Sequence, residues 1–118
     1  ATALRGPCWS VPGNHDFLAA LPALESIGFR FLLNESTLIR RGSRAIAICG
    51  VDDPRWFRTH DLRRARAAVP AGTPMVLLAH SPEIWREAAE LGFSLLLSGH
   101  THGVQVCLPG GLAIFRNA

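Results

Sequence analysis

Charged residues and long apolar runs are both scarce in this sequence of 118 residues. Charged side chains make up 18% of the chain and apolar ones 48%, a balance that excludes a disordered segment, because disordered segments bury too little apolar surface to fold. No apolar run approaches the ~20 residues that cross a bilayer, and we expect no signal peptide. Length and composition predict a single small domain, or part of one, with a buried core.

Cysteine is rare as well, with only Cys8, Cys49 and Cys107. An odd number without close spacing argues against a disulfide framework and against a cysteine zinc site. Each cysteine lies among apolar residues, where a small buried side chain is the expected role. A reducing compartment, the cytoplasm, is the simplest inference. The chain also lacks a Gly-x-Ser-x-Gly segment, which argues against a serine nucleophile at Ser81 or Ser98.

The charge balance is mildly positive, with a net charge of +3. Such an excess suits an anionic substrate, but it is too weak to predict specific nucleic-acid binding. The arginines gather near position 42 and again between positions 63 and 66. We interpret both groups as solvated faces, with a phosphate- or lipid-facing patch as the alternative.

Buried-strand patterns alternate with helical patterns along the chain, which predicts the α/β class. A first helix is expected with Leu21, Leu24 and Ile27 on one face. A second is expected from a cap at Thr59 or Asp61 to about Ala68, and a third begins after a capping Ser81. Single strands are predicted at 8–11, 75–78 and 95–97. A hairpin is predicted over 37–49, with its turn at 41–43, and a shorter pair of strands at 104–108 and 113–115.

Histidine follows three of the predicted strands at the point where each strand ends. His15 follows the first, His80 follows strand 75–78, and His100 with His102 follows strand 95–97. If these strands are parallel neighbours, their carboxyl ends share one sheet edge and the side chains converge. Imidazole nitrogen and amide oxygen suit divalent ions that polarise water and phosphate. His60 stands in a polar stretch, and we predict it at the surface.

Each of these segments also has a structural interpretation when it is taken alone. Residues 14–16 alone indicate a turn with a helix cap, and His80 alone indicates a histidine in the core or at a helix cap. His100 and His102 alone would form a metal site about as often as not. The combination of all three segments is far more specific than any one of them.

Together the segments resemble the later motifs of the calcineurin-like metallophosphoesterases. They stand in the family's order as Gly13-Asn14-His15-Asp16, then His80, then Gly99-His100-Thr101-His102. The resemblance covers nearly the whole chain. It implies that residues 1–118 form the C-terminal portion of a single phosphoesterase domain. The fold it implies is part of a four-layer α/β/β/α sandwich that lacks the first strands.

The resemblance also implies a role for each motif residue. Asn14, His80 and His100 correspond to ligands of the second metal, and His102 corresponds to a ligand of the first. His15 corresponds to the histidine that contacts the phosphate and protonates the leaving group, with Asp16 orienting it. The implied reaction is hydrolysis of a phosphomonoester or phosphodiester by a hydroxide held between two divalent ions, Mn, Fe or Zn.

Further stretches resemble a bacterial branch of the family that often carries an N-terminal membrane anchor. They are residues 33–35, 50–54 and 103–105. Related branches cleave phosphodiesters or a nucleotide-linked lipid, UDP-diacylglucosamine. The resemblance therefore implies a phosphate-ester partner and, in a full-length parent, attachment at the cytoplasmic side of the inner membrane through a segment missing here.

Two earlier motifs of the family, Asp-x-His and Gly-Asp-x-x-Asp, do not occur in the sequence. They supply first-metal ligands and the carboxylate that bridges both metals. Asp52 and Asp53 lie in the wrong order to replace it, and we interpret them as a loop feature. We therefore expect a truncated piece of a longer enzyme, weak or inactive alone. The alternative is a non-catalytic fragment that binds a metal ion or phosphate.

Overall fold

The computed structural model describes residues 6–16 and 18–102, together with the backbone of 106–107 and 113–115. Strands and helices alternate along most of this length, in keeping with the predicted α/β class. The strands are β1 (Cys8–Ser10), β2 (Phe29–Phe31), β3 (Glu35–Arg41), β4 (Arg44–Gly50), β5 (Met75–Ala79), β6 (Leu95–Ser98), β7 (Val106–Cys107) and β8 (Ala113–Phe115). The helices are α1 (Leu21–Ser26), α2 (Leu62–Arg66) and α3 (Trp85–Glu90).

The largest sheet is mixed, with the strand order β3-β4-β5-β6. β3 and β4 form the predicted antiparallel hairpin, which Gly42 closes with a positive φ of 59°. β4, β5 and β6 are parallel neighbours. The segments that follow these three strands therefore leave the sheet along the same edge.

A second, two-stranded sheet pairs β1 with β2 in parallel. A 3-10 turn at Leu18–Ala20 and α1 connect the two strands. Leu21 is buried in α1, but Ile27 is 62% exposed, so the predicted common face is wrong at Ile27. The reason is the helix end, since α1 stops at Ser26 and Gly28 turns the chain at a φ of 107°.

The core lies on one face of the large sheet, beneath α2 and α3. It joins strand residues to helix residues; its members are Ala47, Cys49, Val51, Leu62, Ala65, Met75, Leu77, Ala79, Ile84 and Ala88. Burial raises the pKa of the Cys49 thiol to about 11, so this cysteine stays protonated, in keeping with its predicted buried role. Large apolar side chains on the opposite face are partly exposed, among them Ile46, Leu95 and Leu97.

The two helices over the core begin differently from each other. The carboxylate of Asp61 accepts a hydrogen bond from the Arg64 N–H at 2.8 Å and caps α2, as predicted, although α2 ends at Arg66. Ser81 occupies the predicted cap position, with Pro82 directly after it, but its side chain makes no capping hydrogen bond. The segment after it opens as a 3-10 turn, Pro82–Ile84, which is tighter than the α-helical turn that a serine cap fits.

The two sheets meet at Gly50, the last residue of β4. A Cβ atom added there would lie 2.4 Å from Leu32 Cβ and 2.9 Å from Val11 Cγ1. Only glycine allows this close approach, which brings the segment after β1 toward the ends of β5 and β6. In the described part of the chain, no helix is long and apolar enough to cross a membrane.

Candidate metal centre

Three polar side chains meet beyond the ends of β1, β5 and β6. Asn14 Oδ1 lies 2.9 Å from His80 Nε2, and His100 Nδ1 lies 3.1 Å from the same nitrogen. The two imidazole rings are arranged edge to face, with centroids 5.0 Å apart. These three residues come from three separate motifs and are called the donor cluster. His80 and His100 follow the parallel neighbours β5 and β6, as predicted, whereas Asn14 follows β1, which lies in the other sheet and is not their neighbour.

Backbone geometry holds each member of the donor cluster in place. The carboxylate of Asp16 accepts a hydrogen bond from the Gly13 N–H at 2.7 Å, which closes the turn that carries Asn14. The Gly99 N–H donates to the His80 carbonyl at 3.0 Å and so joins the ends of β5 and β6. His100 adopts a φ of 62°, a left-handed conformation that is costly outside glycine and is concentrated at functional sites.

The spacing of the donor cluster fits a divalent ion. An ion binds nitrogen at ~2.1 Å, so two donors at right angles around it lie ~3 Å apart. The observed separations of 2.9 and 3.1 Å match that spacing. A neutral imidazole nitrogen either donates or accepts, so His80 Nε2 cannot donate to Asn14 Oδ1 and also accept from His100 Nδ1. A cation would satisfy all three lone pairs at once.

Electrostatics keep His80 in the form that binds metals. Burial lowers the pKa of His80, and repulsion by His100 lowers it further, while Asp53 and Asp16 raise this pKa by smaller amounts. A lower pKa leaves the imidazole neutral at neutral pH, as a metal ligand must be. Because the unfolded chain takes up this proton more readily, the metal-free fold loses stability as the pH falls through the normal histidine range.

The other predicted site residues stand outside the donor cluster. His15, Asp16 and His102 are exposed, and the charge of His15 contributes to the lowered pKa of His80. Across residues 6–16 and 18–102, no group of three or more His, Cys, Asp or Glu side chains has metal-site geometry. The donor cluster therefore consists of one amide and two imidazoles.

Comparison with known proteins agrees with the motifs. A phosphodiesterase of Escherichia coli, YaeI, is 29% identical over 110 residues, which cover 87% of this chain and 39% of the relative. A zebrafish transmembrane protein with a metallophosphoesterase domain is 33% identical over an alignment of 121 positions, gaps included, which covers 89% of this chain and 28% of the relative. This chain is a relative of the calcineurin-like metallophosphoesterases. The resemblance predicted from the motifs is confirmed.

The matches extend over only part of each relative. An uncharacterized Bacillus subtilis protein, YpbG, is 36% identical over an alignment of 105 positions, which covers 85% of this chain and 40% of that protein. The chain therefore spans about two fifths or less of the length of these three relatives. No family model matches the chain. No solved structure matches it either.

Sequence reasoning missed the contribution of Asp53 and misplaced His60. Asp53 is buried, and its Oδ2 accepts hydrogen bonds from the N–H groups of Trp56 and Phe57, so the expected loop role is confirmed. Its charge also acts on His80, which its position after β4, at the same sheet edge, could have indicated. The surface prediction for His60 is wrong, because its side chain is only 21% exposed and lies 3.9 Å from Glu87.

Replacing Gly13 with alanine is expected to weaken Mn²⁺ binding about tenfold, because the donor ring must shift by a few tenths of an ångström. The new Cβ would lie 3.0 to 3.2 Å from three atoms of the His80 ring. Isothermal titration with MnCl₂ measures the effect. Gly99→Ala is the matched control, since its Cβ would meet nothing closer than 3.9 Å. Equal loss in both variants would contradict the steric explanation.

Proposed function

We propose that this chain takes part in metal-dependent hydrolysis of phosphate esters, with the donor cluster of Asn14, His80 and His100 as one metal site. The observation that carries the proposal is the convergence of three donors at 2.9 and 3.1 Å. The name of the Escherichia coli relative, a phosphodiesterase, supports a phosphodiester as substrate, with phosphomonoesters as the wider class.

The donor set suits this chemistry because all three ligands are neutral. A bound divalent ion would polarise the phosphoryl group and lower the pKa of nearby water. Amide and imidazole donors leave the charge of the ion uncompensated, which favours the binding of an anionic ester. The exposed position of His15 leaves its imidazole open to a substrate that approaches from solvent.

His15 would protonate the leaving group, and Asp16 would act on it through the turn that both residues share. Asp16 already fixes that turn, since its carboxylate accepts from the Gly13 N–H and its own N–H donates to the Gly13 carbonyl. A histidine is suited to this role because its pKa lies near neutral pH. His102 would serve a second ion.

Several finer features belong to the same proposal. The complete domain would hold two ions, Mn, Fe or Zn, within a four-layer sandwich of which this chain forms the C-terminal portion. The partial coverage of the relatives supports a place within a longer domain. The zebrafish relative is named as a transmembrane protein, which supports membrane attachment in a full-length parent. A cytoplasmic location, at the inner membrane, belongs to the same proposal.

A second candidate is a non-catalytic module that binds one metal ion or phosphate. It is favoured by one observation, namely that the donor cluster contains no carboxylate among the described residues. Without a negative ligand, metal affinity is lower than in a site with a bridging carboxylate. Metal stoichiometry separates the two candidates, because the enzyme needs two ions and the module needs at most one.

The His15→Ala variant tests the catalytic role directly. Turnover of bis-p-nitrophenyl phosphate is expected to fall by about 10²- to 10⁴-fold while metal content stays unchanged, because general acid catalysis contributes that much. Both quantities are measured on one Mn-loaded sample of a full-length parent. Turnover that His15→Ala leaves unchanged would argue against the proton-transfer role. Loss of metal together with turnover would instead make His15 a ligand.

A further inference from the structure

The segment 51–58 follows β4 along the same sheet edge as the donor cluster. β4 pairs in parallel with β5, and Gly50 lies opposite Leu78, two residues before His80. Arg55 forms an ion pair with Glu83, which lies three residues after His80. The strand pairing and the ion pair therefore hold residues 51–58 beside the residues proposed to bind the metal. We call this segment the aromatic turn.

Asp53 holds the backbone of the aromatic turn. Its Oδ2 accepts hydrogen bonds from the N–H of Trp56 at 2.5 Å and from the N–H of Phe57 at 2.6 Å. The Thr59 N–H donates to the Asp53 carbonyl at 3.1 Å and closes the turn from the other side. Asp53 itself is only 1% exposed, so this anchor is shielded from water.

This rigid turn presents two aromatic side chains to solvent. Trp56 is 72% exposed and Phe57 is 56% exposed, although neighbouring Pro54 and Asp53 are buried. Arg58 is exposed beside them and adopts a left-handed φ of 55°. Hydrogen bonds that hold the backbone of the turn lower the conformational entropy that ligand binding would cost, which is a property of preorganised sites.

The chemistry of the turn indicates the kind of group that it would bind. Exposed rings offer flat faces for stacking, whereas a flexible acyl chain needs a concave pocket to bury its surface. Guanidinium groups bind phosphate oxygens and stack on aromatic planes. Planar aromatic groups joined to a phosphate combine both requirements.

We propose that Trp56 and Phe57 form a stacking platform for a flat aromatic group, a nucleobase or an aryl group, of a phosphate ester bound at the donor cluster. This inference rests on the proposed function and adds the substrate class. Arg58, exposed beside the rings, supplies the positive charge for a phosphate oxygen. The platform and the donor cluster then hold opposite ends of one ester.

Calorimetric titration of the Mn-loaded chain with four ligands tests the platform. The ligands are adenosine 5′-phosphate, phenyl phosphate, methyl phosphate and inorganic phosphate. Trp56→Ala is expected to weaken binding of the two aromatic esters about tenfold, equal to ~1.4 kcal/mol and within the range for base stacking. Binding of methyl phosphate and inorganic phosphate is expected to stay unchanged. Trp56→Phe should restore most of the lost affinity.

Trp85→Ala is the matched control, because Trp85 is also exposed, at 55%, and Arg86 lies over its ring. An equal effect of Trp85→Ala, or equal weakening of all four ligands by Trp56→Ala, would overturn the inference. Preference for adenosine 5′-phosphate over phenyl phosphate identifies a nucleobase, and the reverse preference identifies an aryl ester.

Two further outcomes distinguish failure of the stacking platform from failure of the proposed function. If inorganic phosphate shows no Mn-dependent binding, the proposed function fails and the platform fails with it. If phosphate binds but the aromatic esters gain no affinity over methyl phosphate, only the platform fails. Binding of the chain to phosphatidylglycerol vesicles that Trp56→Ala abolishes, without any aromatic preference, would assign the turn to a membrane surface and overturn the stacking role.

Discussion

His80→Ala is expected to weaken Mn²⁺ binding by about 100-fold or more, since loss of even an indirect metal partner costs 10- to 100-fold. His80 Nε2 is the atom that both other donors face, at 2.9 Å from Asn14 Oδ1 and 3.1 Å from His100 Nδ1. Removing it leaves Asn14 and His100 without the donor that links them. Isothermal titration with MnCl₂, at a pH where histidine is neutral, measures the loss.

The matched control is His60→Ala, which removes the same side chain away from the donor cluster. His60 lies against Glu87 of α3, and its substitution is expected to leave Mn²⁺ affinity within about twofold of the starting value. Urea unfolding of both variants separates metal loss from fold loss. Equal Mn²⁺ affinity in His80→Ala and the parent chain would place the metal elsewhere.

Gly50→Ala is expected to destabilise the fold by about 3 kcal/mol, the upper part of the range for overpacked cores. The new Cβ would lie 2.4 Å from Leu32 Cβ and 2.8 Å from the Leu32 carbonyl oxygen. No change of rotamer relieves contacts with a Cβ and a backbone atom, so the two sheets must separate. Separation would also move Asn14 away from His80, and Mn²⁺ affinity should fall in the same variant.

The unfolding free energy comes from urea titration monitored by tryptophan fluorescence. Gly99→Ala serves as the control for stability, because its nearest new contact is an ordinary 3.9 Å from the His80 carbonyl oxygen. A Gly50→Ala chain as stable as the parent would contradict the close approach of the two sheets at Gly50.

The elements that the sequence predicts best are those with a local physical signature. The hairpin of β3 and β4 is encoded by alternation around a glycine turn, and Asp61 caps α2 through a hydrogen bond to the third residue after it. The convergence of His80 and His100 follows from parallel pairing of β5 and β6, which continuous apolar runs favour, although Leu95 and Leu97 show that β6 is less buried than its sequence predicts. The sequence alone does not show that β5 and β6 pair in parallel, and the predicted convergence rests on that assumption.

The features that escaped prediction depend on tertiary contacts. β2 has only three residues, Phe-Arg-Phe, too few to show a period, and it forms by pairing with β1. The partial burial of His60 arises from packing near Glu87, which the polar local sequence does not reveal. Asp53 likewise becomes a buried anchor only because the segment after β4 folds back on itself.

A Mn²⁺-loaded crystal structure, with anomalous diffraction recorded at the manganese edge, tests the central claim most directly. We predict an anomalous peak at about 2 Å from each of Asn14 Oδ1, His80 Nε2 and His100 Nδ1, the distance at which divalent ions bind such donors. A peak bound by other residues, or a direct hydrogen bond between His80 and His100 at saturating Mn²⁺, would contradict the account.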